Sequence, residues 1–99
     1  MSKVIFTVKY ELKPDAEDEY LKIAKELKAI VKAEGLLDYE IYKLHDKLAY
    51  CEIFVFENKE AYENYDDSEE MLTLLLGKLS DLIVEGSMKY STYEKLLDE

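Results

Sequence analysis

The sequence predicts an α+β domain on the ferredoxin-like split βαβ plan, a four-stranded antiparallel sheet with helices on one face. Three observations predict it. Hydrophobic periodicity runs in the order strand, helix, strand, strand, helix, strand. The two middle strands are separated by a tight turn, as in a hairpin. Both main helical segments carry an apolar stripe, which a helix needs to cover a sheet face.

Residues 4–12 alternate with period two. Val4, Phe6, Val8, Tyr10 and Leu12 share one face and Thr7, Lys9 and Glu11 the other, a half-buried strand. Pro14 fits the first helical position, where its missing N–H costs nothing, and Asp15, Glu17, Asp18 and Glu19 complement the helix dipole. Tyr20, Ile23, Ala24, Leu27, Ile30 and Val31 recur at three and four residues on a helix ending near Glu34, with Gly35 as its left-handed cap. Residues 36–44 and 48–56 read as strands around a hairpin at His45-Asp46-Lys47. Asn58 is suited to cap a short helix over 59–65, and Ser68 a longer one to about residue 84. In the longer helix Leu72, Leu75, Leu76, Leu79 and Ile83 face one way, and Met71, Leu74 and Leu82 widen the stripe. Gly86 ends that element, and residues 87–93 alternate as a last strand.

Ninety-nine residues make one domain with a modest core. A formal charge of −10 argues against a nucleic-acid surface, which needs clustered cations, and against an anionic membrane surface. All thirteen cations are Lys, so the planar fork that grips carboxylates and phosphates bidentately is missing. The residues after Met1 alternate instead of forming a continuous apolar stretch, so no leader peptide is expected, and no apolar run is long enough to span a bilayer. One cysteine excludes an intrachain disulfide. A cytoplasmic location is the resulting expectation.

The third strand points to assembly. Tyr50, Phe54 and Phe56 fall on one face, and Ala49, Cys51, Ile53 and Val55 on the other. Helices in this plan cover a single sheet face, yet this strand is apolar on both, as in a sheet buried on two sides. Sheet-to-sheet packing of a second copy is the economical cover, because no residues remain to build another layer. A homodimer is therefore expected.

The run Glu34-Gly35-Leu36-Leu37-Asp38-Tyr39-Glu40-Ile41-Tyr42 holds an acidic residue, a turn glycine and a Tyr-x-x-Tyr strand. It resembles the helix-to-strand junction of antibiotic-biosynthesis-monooxygenase-type domains. Lys13-Pro14-Asp15 is similar to that family's Lys-Pro-Gly helix entry, and Phe56-Glu57-Asn58-Lys59-Glu60-Ala61-Tyr62 to its aromatic-acidic-polar run. The resemblance extends over nearly the whole chain and implies pairing as a dimeric α+β barrel, with a pocket between sheet and helices in each subunit. It further implies oxidation of polyphenolic or quinol-like aromatics by molecular oxygen, often without metal or flavin; other members degrade haem. The departures are specific. Phe56 stands where the family often has Trp, and Tyr65 where it often has His, with the following Ser68 retained. Val8 occupies the position of the haem-degrading members' Asn, Trp is absent, and His45 lies on the hairpin, which argues against haem degradation. The Trp and Arg of polyketide-oxidising members are missing too.

Each candidate residue carries two readings. Glu52 shares a strand face with Tyr50, Phe54 and Phe56; a carboxylate among aromatics has a raised pKa and suits a general base toward an acidic phenol. Its plainer reading is an edge carboxylate reaching water or a Lys. Tyr65 can hydrogen-bond a substrate phenolate or an oxygen species in a dry pocket, or simply close the short helix. Tyr10, Tyr50 and Phe56 line an aromatic pocket if their face meets the helices, or pack as core, and Ser68 completes the expected substrate-binding set. Cys51 reads as a small hydrophobe, His45 as a turn residue, and Asp66-Asp67-Ser68-Glu69-Glu70 as a solvated helix start without calcium-loop spacing. Neither metal nor cofactor is expected, there being no phosphate loop, zinc spacing or nucleophile elbow. The leading expectation is a cofactor-independent monooxygenase for a small phenolic or quinol-like aromatic. The alternative is a non-catalytic dimeric domain of the same fold that binds a small hydrophobic ligand.

Overall fold

The computed structural model describes residues 2–45, 47–66 and 69–97. The elements follow as β1 (Val4–Glu11), α1 (Glu17–Ile30), β2 (Leu36–Lys43), β3 (Ala49–Phe56), α2 (Lys59–Glu63), α3 (Glu70–Ser80) and β4 (Lys89–Glu94). The strands form one antiparallel sheet in the order β2-β3-β1-β4, the split βαβ arrangement, with β3 and β1 inside and β2 and β4 at the edges. Helices cover one face. Val4, Val8 and Tyr10 of β1 and Tyr50, Glu52, Phe54 and Phe56 of β3 are buried there, against Tyr20, Ile23 and Leu27 of α1 and Leu72, Leu75 and Leu79 of α3. Alternation on β3 is complete, each helix-facing residue buried and each outward one half-buried.

The helix ends depart from the expected ones, and tertiary hydrogen bonds explain two of the departures. α1 stops at Ile30 because Val31 turns extended, with φ −73° and ψ 99°, and buries its own side chain. Gly35 does adopt φ +81°, but five residues beyond Ile30 it serves the entry to β2, where its carbonyl accepts the Glu57 N–H at 2.8 Å. A Cβ at this position would also collide with Ala61 of α2. Pro14 is not the first helical residue; it belongs to a turn with Asp15, whose φ is +64°, and α1 starts at Glu17. α2 is capped by Asn58, which accepts the Ala61 N–H at 2.8 Å, and ends at Glu63 before Tyr65. α3 is capped by Glu69, whose carboxylate accepts the N–H groups of Met71 and Leu72 at 3.1 and 3.0 Å. The expected cap Ser68 lies outside the described residues, as do Asp46 of the hairpin and Asp67. α3 ends at Ser80, short of residue 84, because the chain beyond it is captured by the end of β1. Lys13 donates to Leu82 O at 2.9 Å, Val84 donates to Glu11 O at 2.8 Å, and Leu12 bridges Ile83.

The other sheet face has no helix over it. Ala49, Cys51, Ile53 and Val55 of β3 lie there half-buried; Tyr42 pairs opposite Cys51, and Ile5 and Tyr93 pair with each other, all three exposed. Among the described residues, no helix is long and apolar enough to cross a membrane.

Candidate active site

Strand register concentrates oxygen atoms at the middle of β3. Glu52 pairs with Val8 of β1 and Ile41 of β2, so Tyr10 and Tyr39 are its diagonal neighbours on the two flanking strands. Diagonal positions are within reach of long side chains. Both phenols use that reach: Tyr10 Oη donates to Glu52 Oε2 and Tyr39 Oη to Oε1, each at 2.7 Å. Tyr20, projecting from α1, brings its hydroxyl to 2.8 Å from that of Tyr10.

Glu52 is 5 % exposed. Burial pushes its carboxyl above the ordinary value, while the Tyr10 and Tyr39 hydrogen bonds pull it back. Burial, reinforced by the nearby Glu52 charge, drives both phenols well above the usual tyrosine range, and burial raises Tyr20 as well. The protons therefore stay on the phenols, which donate to the Glu52 carboxyl. Each of its oxygens retains a second lone pair for another donor.

That carboxylate forms part of the wall of a cavity of about 570 Å³ between the helix-facing side of the sheet and the helices. Phe6, Val8, Phe54 and Phe56 form much of the sheet side, Leu27 comes from α1 and Val31 from just beyond it, and Leu72, Leu76 and Leu79 from α3. Tyr65, just past α2, packs its ring on Phe54 and Phe56 with centroids 5.7 and 5.5 Å away. Tyr62 packs on Phe56 at 5.6 Å, and Tyr90 of β4 stacks on Phe6 at 5.9 Å and 13°. Such separations are those of favourable ring pairs, so the wall is a built aromatic surface. Its volume falls in the range of small-molecule sites.

Of the sequence-predicted residues, Glu52, Tyr65 and Phe56 meet on this wall. Tyr10 and Tyr50 do not reach it. Tyr10 is 1 % exposed and touches the site only through the Glu52 carboxylate. Tyr50 lies two residues further along β3, about 7 Å of strand rise away. Its ring packs on Tyr20 at 4.4 Å in a separate groove between α1 and β2, and its hydroxyl donates to the Glu17 carboxylate. Burial and Glu17 push the Tyr50 phenol up to about 12, while Lys43, 2.7 Å away, and Tyr50 hold the Glu17 carboxyl below its usual value. Ser68 lies outside the described residues. Cys51 faces away, on the uncovered side of the sheet, its thiol raised by burial.

Tyr39, Tyr62 and Tyr90 went unassigned from sequence. For Tyr39 a signal was present: counting back from the hairpin, pairing of Lys43 with Tyr50 sets Ile41 opposite Glu52 and Tyr39 opposite Phe54. Tyr62 and Tyr90 sit on α2 and β4, whose packing over the sheet no local pattern encodes.

Residues 3–74 match the family model described as antibiotic biosynthesis monooxygenase. The fold is shared with solved structures at low identity. A cofactor-independent oxygenase from Streptomyces nogalater, SnoaB in a mutant form, superposes with a TM-score of 0.77 at 14 % identity, covering 98 % of this chain and 96 % of that one. A conserved protein from Methanosarcina mazei gives 0.77 at 18 %, covering 94 % and 92 %. A protein of unknown function from Bacteroides thetaiotaomicron gives 0.76 at 19 %, covering 95 % and 98 %. No curated protein is significantly similar to the chain.

Proposed function

This chain belongs to the antibiotic biosynthesis monooxygenase family, and on that premise we propose that its cavity oxidises a small phenolic or quinol-like ring with molecular oxygen. One observation carries the reading: a buried carboxylate, held as an acceptor by two phenols, is set into a wall that is largely aromatic and aliphatic. That is the equipment for taking a proton from an acidic ring in a site that excludes water.

For a phenol whose keto tautomer carries a ring methylene, the steps balance. Glu52 accepts a proton from the methylene, and the resulting electron-rich anion passes one electron to dioxygen. The radical and superoxide combine in a carbon–oxygen bond, and the proton returned by Glu52 gives a hydroperoxide. Loss of water, which takes the second methylene hydrogen, leaves a ketone. Phe56 and Tyr65 hold the ring, and the Tyr65 phenol hydrogen-bonds the ring oxygen. Tyr10 and Tyr39 act through Glu52, as positioning residues. Two copies pair through the uncovered sheet face, where an apolar strip otherwise stays wet. The single cysteine suits a cytoplasmic setting.

The test is oxygen uptake by the purified protein, without added metal or flavin, over a panel of quinols, anthrones and other acidic phenols, with autoxidation controls. Uptake above background is expected, falling about 10²–10⁴-fold in Glu52→Gln, the usual range for loss of a general base. Undiminished turnover in that variant removes Glu52 as the base. The apolar wall and the absence of Trp and Arg also suit a second reading, a domain that binds a hydrophobic ligand without turning it over. Folded protein that binds the panel and consumes no oxygen decides for it.

A further inference from the structure

The cavity wall is one-sided in charge. Among the described residues its ionisable groups other than phenols are two carboxyls, Glu52 in the depth and Glu63 on the exposed side of α2, and no lysine reaches it. Lys28 and Lys43, on the far side of α1, are engaged there with Glu40 and Glu17. The chain has no Arg. A carboxylated, sulfated or phosphorylated ring would have to leave water for a site with no counter-charge and with like charges in its wall, which is costly in a low-dielectric interior. A protonated amine meets the opposite situation. The free lone pairs of Glu52 can accept from its N–H donors, and the faces of Tyr62, Tyr65 and Phe56 carry the negative potential that attracts an organic cation.

Taking the cavity as the substrate site, as proposed above, we propose that it selects aromatic rings bearing a protonated amine, accepts neutral rings more weakly and rejects anionic ones. Glu52 and Glu63 set this preference. The cavity thereby differs from one built to hold carboxylated, sulfated or phosphorylated aromatics, which needs a cation in its wall.

The experiment is calorimetric binding with three probes of one shape, 2-(1-naphthyl)ethylamine, 2-(1-naphthyl)ethanol and 1-naphthylacetate, under nitrogen at neutral pH. The expected order is ammonium, then alcohol, then carboxylate, with a gap between the extremes on the order of tenfold or more. Glu63→Gln and Glu52→Gln each narrow that gap. Glu26→Gln, which removes the same charge from the exposed side of α1, leaves it unchanged and so separates the cavity's field from the net charge of the molecule. Added salt weakens the Glu63 contribution more than that of buried Glu52. Equal binding of carboxylate and ammonium, a gap unmoved in both cavity variants, or no binding of any probe overturns the proposal. None of these probes needs to be oxidised, so the result is independent of turnover. Oxygen uptake that fails while the charge order holds removes the oxygenase reading alone, and the reverse outcome removes the selectivity alone.

Discussion

At Glu52, burial and hydrogen bonding pull in opposite directions, and burial wins: its carboxyl lies above the ordinary value of 4.5. The consequence for stability has a definite sign. Between the unfolded value and the raised folded one, the native chain holds a proton that the unfolded chain has already released, so stability falls as pH rises through that window and levels off above it. Urea denaturation from acid to neutral pH should show the wild type losing stability relative to Glu52→Gln over that range; the opposite slope would mean that the two phenols dominate. Tyr39→Phe removes one donor and should extend the window upward, carrying the acid limb of any kcat/KM profile with it. Residue chemistry of this kind was only half legible in the sequence. Alternation on β3 was enough to put Glu52 among aromatics, but that its charge is shared with Tyr10 and Tyr39 depends on the diagonal geometry of three strands. Tyr50, alike in sequence terms, lands in another groove because strand rise sets it against the start of α1, at Glu17 and Tyr20, away from Leu27, which lines the cavity.

Among the elements, β3 follows its alternation closely while the helices stop where tertiary structure stops them. Nothing in the leucine pattern of α3 forecasts its end at Ser80, because the cause is a pair of backbone hydrogen bonds to residues 11 and 13, distant in sequence. The α1–β2 junction shows a similar division. A glycine in the turn is readable, but its need for close approach comes from α2 packed over it. Two costs coincide at that point, left-handed backbone and collision with Ala61. Gly35→Ala should therefore destabilise by more than the roughly 1–2 kcal/mol of the backbone preference alone. Gly86→Ala, with the same φ and open space around it, should show only the backbone cost. Parallel urea titrations of the two variants measure the difference.

On the scale of the whole molecule, the informative feature is the sheet face that nothing in one copy covers. It was legible early, since β3 is apolar on both sides. Under the proposed pairing, Ile53→Glu places a charge at the centre of that face, opposite Thr7 of β1 and Glu40 of β2. Sedimentation velocity should find the variant as a folded single copy where the wild type sediments as two. Undisturbed pairing in the variant would direct attention to another surface. Beside Ile53 stands Cys51, the chain's one sulfhydryl, half-buried on the same face. A position so placed is shut while two copies embrace and open once they part. The pace at which a maleimide attaches to it is then a clock for their separation, supplied by the protein without engineering.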